Sequence, residues 1–486
     1  MKKLLFITIM TLLFSVAGIT QNYELWSIGI DGLNPKIYKT DSVGENLQWV
    51  YTMNPDTEGK RPMAGLFLAN NGKLYGTTTQ GGPDDNYGTF FEYDIRNSEF
   101  TVLVDFNGEN GAAPQGNVIE ADNGKLYGMT TEGGTSFDTI PPGNYIKCTG
   151  WGTLFEYDLS TSSHKILHNF MYEDGILPKA NLMQATDGFL YGTTSGGSNT
   201  QNRKGTIFKY DIENDTLLVL FSFADTTGGS PFSTLIQASN EKLYGTARTE
   251  GKGGSAYGTL FEYDVISRSY TVLHNFYGGN NGYPDGLYPE SGLLQAEDGK
   301  LYGVTGGGGV PRLSKGVIYS YDINTLTFER QFSFPYSSSV GAWPNSRLIQ
   351  AANGNLYGTN HNMVYEYDLE KDTLLAKSHG AINTCGLIKV EAYDNTAINE
   401  KETGIQQFDL YPNPGNEIVT INYNIPTGNN IVVSVINISG KEVFRRKFSA
   451  NNQIQLDISE VDNGLYLIRL QSENNYSCKK LIINHY

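Results

Sequence analysis

The sequence predicts an all-β protein, a seven-bladed β-propeller followed by a small C-terminal immunoglobulin-like β-sandwich. The tripeptide Leu-Tyr-Gly occurs six times, and each copy lies among four short strand-like segments. The copies recur at intervals of roughly 50 to 65 residues, a period typical of propeller blades. They begin at Leu74, Leu126, Leu190, Leu243, Leu301 and Leu356.

The copy around Tyr244 shows the parts of one repeat. Residues 235–238 are followed by a polar turn and by 243–246, then by 258–264 and 270–276. These segments are rich in β-branched and aromatic residues and are separated by Asn, Asp and Gly, as expected of strands. The first turn is Asn-Gly or Asp-Gly in five copies, a pair that accepts the positive φ angles of a tight hairpin. Each repeat is therefore predicted to form four antiparallel strands.

The two ends of the repeat region predict how it closes. Trp26 aligns with the tyrosine of Leu-Tyr-Gly, and 36–41 and 48–51 align with the third and fourth strands, but the first strand is missing there. Residues 385–393 contain a first-strand pattern that no further repeat follows. We predict that this segment folds back to complete the first blade, which gives a seven-bladed propeller over 22–393 without free sheet edges. An open solenoid is the alternative, but it needs capping repeats.

Charge and composition exclude some partners. The net charge is −16 at pH 7 with a pI near 4.9, so no basic stripe is available to displace the counterions of a polyanion. Nucleic acid is therefore excluded as a partner, and anionic membrane surfaces are disfavoured. The 56 glycines and 32 tyrosines fit many short strands and tight turns.

The first 20 residues resemble a secretory signal peptide. Lys2 and Lys3 precede an apolar run that ends in small residues at Ser15, Ala17 and Gly18, the arrangement of a cleavable leader. No later stretch reaches the roughly 18 apolar residues that a transmembrane helix needs. Cysteine occurs three times, at Cys148, Cys385 and Cys478, which argues against a disulfide framework.

Beyond the repeats, composition separates a linker from a second domain. Residues 394–407 are polar and unpatterned, and 408–486 contain five strand-like runs. The runs are 418–421, 431–436, 453–456, 465–470 and 479–482. Short strands at this spacing predict a small β-sandwich.

Several short motifs of the tail occur in a recognisable order. They are Tyr411-Pro412-Asn413-Pro414, a turn at Gly440, Asn463-Gly464-Leu465-Tyr466 and the closing Lys479-Lys480. Together they resemble the C-terminal sorting domain of the type IX secretion system of Bacteroidetes. The resemblance implies the type IX secretion machinery as a partner, with export through the periplasm to the outer-membrane surface or the medium. The repeats themselves resemble the Gloeobacter/Verrucomicrobia tandem repeat, also called a choice-of-anchor repeat, which implies architecture but no established activity.

Motifs for catalysis are missing from the sequence. It has no Ser-His-Asp order, no phosphate-cradling glycine loop and no zinc-type spacing of His and Cys. We therefore assign no catalytic residue, metal or cofactor, and we favour a protein that is not an enzyme. His168 and His274 occupy a fourth-strand position that is Val104 or Phe221 in other copies, which favours a structural role.

Long, unequal loops are predicted on one face of the propeller, where binding groups are usually carried. Aromatic side chains in or beside these loops are the candidate ligand-binding residues, since their rings can stack on sugars or grip a protein. They are Tyr145, Trp151, Tyr172, Tyr283, Tyr288, Tyr336 and Trp343. The alternative is that these rings fill gaps between blades.

The sequence thus predicts a secreted or cell-surface binding platform, with glycan as the first choice of ligand and protein as the second. A propeller-type polysaccharide hydrolase or lyase is the competing class, and a structural adhesin is the third. Acidic side chains converging at the channel mouth would favour the enzyme.

Overall fold

A computed structural model describes most of the chain beyond Tyr23. The described residues are 23–31, 34–83, 86–135, 150–197, 204–252, 256–277, 283–310, 314–335, 341–344, 346–360, 363–379, 385–391, 409–411, 418–422, 430–437, 442–449, 453–459, 461, 464–472 and 475–483. The predicted signal peptide and linker lie outside them. The chain divides into two compact units, Met1–Ala392 and Tyr393–Tyr486.

The first unit consists of antiparallel sheets, seven of which have four strands within its described residues. Sheet 1 contains β1 (Tyr23–Asp31), β2 (Asn34–Thr40), β3 (Gln48–Thr52) and β30 (Ile388–Glu391). Sheet 2 contains β4 (Phe67–Leu68), β5 (Leu74–Thr78), β6 (Thr89–Asp94) and β7 (Glu99–Asp105). Sheet 3 contains β8 (Ile119–Glu120), β9 (Leu126–Thr130), β10 (Thr153–Asp158) and β11 (Ser163–Asn169).

The remaining sheets follow the same plan. Sheet 4 contains β12 (Met183–Gln184), β13 (Leu190–Thr194), β14 (Thr206–Asp211) and β15 (Thr216–Ser222). Sheet 5 contains β16 (Ile236–Gln237), β17 (Leu243–Ala247), β18 (Ala256–Asp264) and β19 (Ser269–Tyr277). A small sheet pairs β20 (Tyr283–Leu287) with β23 (Gly307–Gly309). Sheet 6 contains β21 (Leu294–Gln295), β22 (Leu301–Thr305), β24 (Val317–Asp322) and β25 (Thr327–Ser333), and sheet 7 contains β26 (Ile349–Gln350), β27 (Leu356–Thr359), β28 (Met363–Asp368) and β29 (Thr373–His379).

Strands lie side by side in chain order within sheets 2 to 7, and each is antiparallel to its neighbour. Sheet 1 has the order β3-β2-β1-β30, so its first position is taken by the last strand of the unit. We call the strand at that position in each sheet the inner strand, and β3, β7, β11, β15, β19, β25 and β29 the outer strands. This arrangement is a β-propeller-like repeat fold.

Hydrogen bonds connect the inner strands of successive sheets. The backbone N–H of Asn70 donates to Glu120 Oε2 at 2.7 Å, and that of Thr186 donates to Gln237 Oε1 at 2.8 Å. Equivalent bonds join the sheets between and after these. At the last step the N–H of Ala352 donates to the Tyr23 hydroxyl of sheet 1 at 2.8 Å. The inner strands therefore lie next to one another, while alternate residues of the outer strands face solvent.

Each pair of successive sheets shares one hydrophobic cluster. Tyr75 and Phe155 belong to the cluster between sheets 2 and 3, and the following interfaces repeat it. Tyr357 of sheet 7 lies in one cluster with Tyr38 of sheet 1. Sheet 1 in turn shares a cluster with sheet 2. The series of interfaces thus returns to the sheet at which it begins.

The contacts of the tyrosine and the glycine explain why the tripeptide Leu-Tyr-Gly recurs in each repeat. The Tyr244 ring is buried, and its hydroxyl accepts from Asn240 Nδ2 at 2.8 Å and donates to Glu262 Oε2 at 2.6 Å. A Cβ on Gly245 would lie 2.7 Å from the Phe261 ring, which is closer than side-chain atoms approach. The tripeptide therefore joins the hairpin turn to the third strand and leaves room for the ring on that strand.

The second unit has two sheets in its described residues. One contains β31 (Asp409–Tyr411), β32 (Ile418–Asn422) and β35 (Gln453–Asp457). The other has the order β34-β33-β36-β37 and contains β33 (Asn430–Asn437), β34 (Glu442–Ser449), β36 (Gly464–Ser472) and β37 (Asn475–Ile483). Val419 and Leu456 of the first sheet share one core with Val433 and Leu470 of the second.

Some details differ from the sequence-based predictions. Only Ile236 and Gln237 of the predicted first strand 235–238 form a ladder. The pairing of β20 with β23 was not predicted, because Gly307–Gly309 has low strand propensity and pairs only in its tertiary context. Strands β31 and β34 of the tail were also missed. In the described part of the chain, no helix is long and apolar enough to span a membrane.

Candidate functional site

Six connections between consecutive sheets contain a proline preceded by a residue with positive φ. The pairs are Arg61-Pro62, Ala113-Pro114, Leu177-Pro178, Ser230-Pro231, Tyr288-Pro289 and Trp343-Pro344, with φ between 49° and 58° at the first residue. The N–H of Ala113 donates to the Tyr87 carbonyl and that of Trp343 to the Lys315 carbonyl, both at 2.8 Å. The N–H groups of Leu177, Ser230 and Tyr288 make equivalent bonds, so five of the six connections are held against the loop between the second and third strands of the preceding sheet. We call the side with these connections and loops the loop face.

Burial alternates along the residues that follow each proline. Pro231 and Ser233 are buried, whereas Phe232 and Thr234 are partly exposed, and the connections into sheets 4 and 6 have the same alternation. Residues two apart in an extended segment point to one side. The first and third residues after the proline therefore face the same way. The first of them, which we call the rim row, are Met63, Gln115, Lys179, Phe232 and Glu290 in the described chain.

Three consecutive rim-row residues belong to a cluster of aromatic and charged side chains. Lys179 Nζ lies 4.2 Å from the centroid of the Phe232 ring, and Arg248 Cζ lies 5.5 Å from the same centroid. Arg248 Nε donates to Glu290 Oε1 in an ion pair. Arg248 Cζ also lies 4.9 Å from the Tyr288 ring. We call Lys179, Phe232, Arg248, Tyr257, Tyr283, Tyr288 and Glu290 the aromatic–cation cluster.

Three tyrosines extend this cluster. Tyr257 makes edge-to-face contacts with Tyr283 at 4.9 Å and with Tyr288 at 5.8 Å between ring centroids. Tyr283 begins β20, whose pairing with β23 holds it beside Tyr257. β20 lies in the connection from sheet 5 to sheet 6. Among the residues that the structure describes, this connection is the one that contributes a strand to an added two-stranded sheet. The added two-stranded sheet therefore fixes the position of the Tyr283 ring.

Arg248 departs from the repeat. Its equivalents in the other repeats are Thr79, Thr131, Ser195, Gly306 and His361, the last of which lies outside the described residues. The backbone role is kept, since the N–H of Arg248 donates to the Ser230 carbonyl at 3.2 Å as that of Thr79 donates to Arg61 at 3.1 Å. The side chain is different, because four of these copies have Thr, Ser or Gly where Arg248 has a guanidinium that reaches Glu290 and Tyr288. The fold therefore does not require arginine here.

Glu250, which pairs with Tyr257 through an isolated bridge, departs from the repeat as well. Its φ is 63°, and the equivalent residues, also with positive φ, are Gly81, Gly133, Gly197 and Gly308. Glu250 forms an ion pair with Lys204, and its Oε2 is buried without a hydrogen-bond partner in the described structure. A non-glycine residue with this φ and a buried unpaired oxygen both cost stability. Residues kept at such a cost often serve binding.

Burial and neighbouring charge shift the ionisation of the cluster. Burial is the largest effect on Lys179 and lowers the pKa of its ammonium, and the nearby Arg248 lowers it further. The hydrogen bond to Tyr283 raises the pKa of Tyr257. Two cationic side chains, Lys179 and Arg248, therefore lie near the Phe232 ring. The carboxylate of Glu290 balances part of their positive charge.

The structure brings two of the predicted site residues, Tyr283 and Tyr288, into one cluster. Trp151 lies elsewhere on the loop face, in a bridge with Gly133, and Tyr172 lies in the connection from sheet 3 to sheet 4. Trp343 is 45% exposed and stands beside Lys315. Tyr145 and Tyr336 lie outside the described residues.

Sequence reasoning missed five members of the cluster, Lys179, Phe232, Arg248, Tyr257 and Glu290. An alignment of the repeats contains the information that identifies them. Aligning the copies on the recurrent proline puts Lys179, Phe232 and Glu290 in one column. The same alignment shows Arg248 among small or neutral residues.

His168 and His274, the two histidines noted in the sequence, lie in strands and contact neighbouring side chains. His168 lies in β11 and contacts Asp174 at 2.9 Å. His274 lies in β19 and stacks on Phe328 with a centroid distance of 3.6 Å. Across the described ranges no group of three or more His, Cys, Asp or Glu is placed to hold a metal ion.

The sorting motif is only partly described. Tyr411 ends β31, Gly464 begins β36, and Lys479 lies in β37. Tyr466 packs against the core of the second unit. Pro412, Asn413, Pro414 and Gly440 lie outside the described residues, as does the side chain of Lys480.

Three solved structures show distant similarity to the chain. TolB from Acinetobacter baumannii is 14% identical with a TM-score of 0.37, and the match covers 63% of this chain and 62% of TolB. A fungal alcohol oxidase of the AA5 family in complex with copper is 11% identical with a TM-score of 0.42, covering 88% and 98%. The extracellular domain of the putative one component system BT4673 from B. thetaiotaomicron is 10% identical with a TM-score of 0.21, covering 94% and 90%. Such scores carry no conclusion about activity, and no curated protein matches the chain.

Two family models match the chain. The Gloeobacter/Verrucomicrobia repeat matches residues 23–140 and 145–368, and the secretion system C-terminal sorting domain matches residues 409–484. The sorting domain implies export by the type IX secretion system and a secreted or cell-surface location. The chain belongs to the Gloeobacter/Verrucomicrobia repeat family and ends in a secretion system C-terminal sorting domain.

Proposed function

We propose that this protein is a secreted or cell-surface binding platform, built on a closed seven-bladed propeller, that takes a glycan on its loop face. The seven four-stranded sheets, the pairing of β1 with β30 and the cluster shared by sheets 7 and 1 support the closed propeller. The core shared by the two sheets of the tail supports an immunoglobulin-like sandwich. The apolar N-terminal run supports entry into the periplasm by a signal peptide.

The aromatic–cation cluster is the observation that carries the proposed binding function. Its key members stand at repeat positions that hold other residue types elsewhere, so the blades do not need them to fold. Phe232 and Tyr288 offer ring faces for a pyranose, while Arg248 and Glu290 offer hydrogen-bond donors and acceptors at the ring edges. Trp151 and Trp343, also on the loop face, would extend the surface along a longer oligosaccharide.

The charges of the cluster favour binding over hydrolysis. A glycosidase places two carboxyl groups on either side of the scissile bond. Glu290 is the acidic member of the cluster, and its carboxylate is paired with Arg248. One carboxylate held by a guanidinium does not supply that pair of groups. The hydrolase or lyase alternative therefore has less support than a binding site.

A glycan array probed with the full chain tests this function. We expect the wild-type protein to bind a defined set of oligosaccharides, and Phe232→Ala and Tyr288→Ala each to lose most of that signal. A contact anchor of this kind contributes on the order of 1 to 3 kcal/mol. Ile266→Ala is the matched control, since Ile266 is 83% exposed in the turn before β19. Unchanged array signals for both cluster variants would reject the site.

A further inference from the structure

Lys179 is a cation that the repeat does not require. It belongs to the rim row, where Met63 and Gln115 hold the equivalent positions in the two preceding connections. Both of these residues are uncharged, so the connection adopts its backbone without a lysine. The Lys179 side chain is partly buried, and its Nζ lies 4.2 Å from the centroid of the Phe232 ring in the next connection. Lys179 therefore adds a positive charge beside a ring that we propose to bind a sugar.

Lys179 and Arg248 have hydrogen-bond donors that the described protein leaves unused. An ammonium has three N–H donors and a guanidinium has five. Within the described residues, the Lys179 ammonium forms neither a hydrogen bond nor an ion pair. The Arg248 side chain bonds Glu290 through Nε, whereas its two Nη groups bond no acceptor in the described chain. A ligand oxygen can therefore bind either cation without displacing a protein partner.

Lys204, another lysine of the loop face, has the opposite arrangement. Its ammonium forms an ion pair with Glu250. The carboxylates near Lys179 are those of Glu132 and Glu290, and across the described ranges neither of them forms an ion pair with it. The protein thus supplies a direct counter-charge to Lys204 but not to Lys179, and an anionic ligand would supply it there.

Both cations of the cluster lie close to one aromatic ring. Arg248 Cζ is 5.5 Å from the Phe232 centroid, so a group at the edge of a sugar stacked on this ring lies near the guanidinium and the Lys179 ammonium. A carboxylate suits this place, because it only accepts hydrogen bonds, pairs with a guanidinium fork and attracts an ammonium as a point charge. The carboxylate of a uronic acid is attached directly to the pyranose ring, so it reaches the edge while the ring remains stacked.

We propose that the glycan bound by the loop face is acidic, and that Lys179 and Arg248 bind the carboxylate of one uronic acid residue stacked on Phe232. This inference rests on the glycan-binding function proposed above and names the class of sugar. Glu290 stays paired with Arg248 and accepts a hydrogen bond from a hydroxyl of the same sugar. A second carboxylate at this place would meet the negative charge of Glu290, so the cluster takes a single uronate.

Calorimetric titration of the full chain with trisaccharides of galacturonic, glucuronic and mannuronic acid, and with their methyl esters, tests the proposal. We expect at least one acid to bind about tenfold or more tightly than its ester, the factor for one charge-assisted pair. Lys179→Gln should lose most of this preference and remain folded, because Gln115 holds the equivalent position in another connection. Lys179→Arg should keep the preference. Lys165→Gln is the matched control, since Lys165 is exposed on the outer strand β11 and the variant loses the same charge.

The possible results distinguish this inference from the proposed function. If no acid binds more tightly than its ester, or if Lys179→Gln keeps the full preference at an unchanged melting temperature, the cluster does not bind a uronate. If a sulfated trisaccharide depends on Lys179 and the uronates do not, the anion is a sulfate and the proposal is wrong. Neutral oligosaccharides that bind on the array and depend on Phe232, without any preference for an acid, would reject the acidic class and leave the proposed function intact.

Discussion

Tyr23 and Glu391 face each other across the ladder between β1 and β30, although they come from opposite ends of the repeat region. The ladder continues through Leu25 and Lys389. Beyond it, the N–H of Cys385 donates to the Ile28 carbonyl at 3.1 Å. The first sheet is thus completed by both ends of the unit, and any loss of β30 exposes a strand edge.

Ending the chain after Ser378 should therefore destabilise the repeat unit by several kcal/mol, through lost ladder bonds and the loss of buried Leu387 and Val390. The matched control ends after Ala392, which removes the second unit but keeps β30. Thermal unfolding of both proteins, followed by circular dichroism, measures the difference. Equal melting temperatures would show that β30 does not hold the unit together.

Two tyrosine-to-phenylalanine changes should have opposite effects on stability. Tyr244→Phe removes a hydroxyl bonded to Asn240 and Glu262 and should cost about 1 to 3 kcal/mol. Tyr319→Phe removes a buried hydroxyl that has no hydrogen-bond partner in the described structure and should be neutral or stabilising. Equivalent positions to Tyr319 are Phe91, Phe155, Phe208 and Phe261. A comparison of melting temperatures checks both, and a more harmful Tyr319→Phe would contradict the hydrogen-bond account.

His164 should make the stability of the repeat unit depend on pH. Burial against Phe106 and Phe155 lowers the pKa of His164 to about 4, below its ordinary value of 6.5. The unfolded chain therefore binds the proton first, and stability is lost as pH falls from 6.5 towards 4, by on the order of 2 to 3 kcal/mol.

His164→Phe should remove this contribution, because Phe100 and Phe328 occupy the equivalent position in other sheets. The measurement is the melting temperature at pH 7 and at pH 4.5 for both proteins. We expect a smaller drop for the variant. An equal drop would mean that other groups account for the acid sensitivity.

Deleting residues 408–486 should leave the repeat unit folded but retained in the periplasm, because the sorting domain is read by the secretion machinery. The repeat unit has its own hydrophobic clusters, separate from the core of the second unit. Fractionation of the native host and surface labelling follow the protein. Normal delivery of the shortened chain to the surface would contradict type IX export.

The repeat made most of the fold predictable. Asn-Gly and Asp-Gly turns fix the first hairpin of each sheet, and the segment around Ile388 has the pattern of an inner strand without a repeat of its own. The pairing of Gly307–Gly309 with β20 could not be read from the sequence, because three glycines have no strand preference and depend on the neighbouring chain.

The candidate site was harder to predict for a different reason. Lys179, Arg248 and Glu290 are far apart in the chain and meet only because successive sheets place equivalent positions side by side. Loop length led to Tyr283 and Tyr288, but it also led to Trp151 and Trp343, which lie elsewhere on the loop face. Departure from the repeat was the more informative signal, since it distinguishes Arg248 from the Thr, Ser or Gly at that position in four other copies.

A crystal structure of the full chain with the oligosaccharide that binds best on the array tests the central claim most directly. The account predicts a sugar ring stacked on Phe232 or Tyr288, with its hydroxyls bonded to Arg248 and Glu290. A sugar bound on the outer strands, or on the side of the hairpin turns with the aromatic–cation cluster unoccupied, would contradict it.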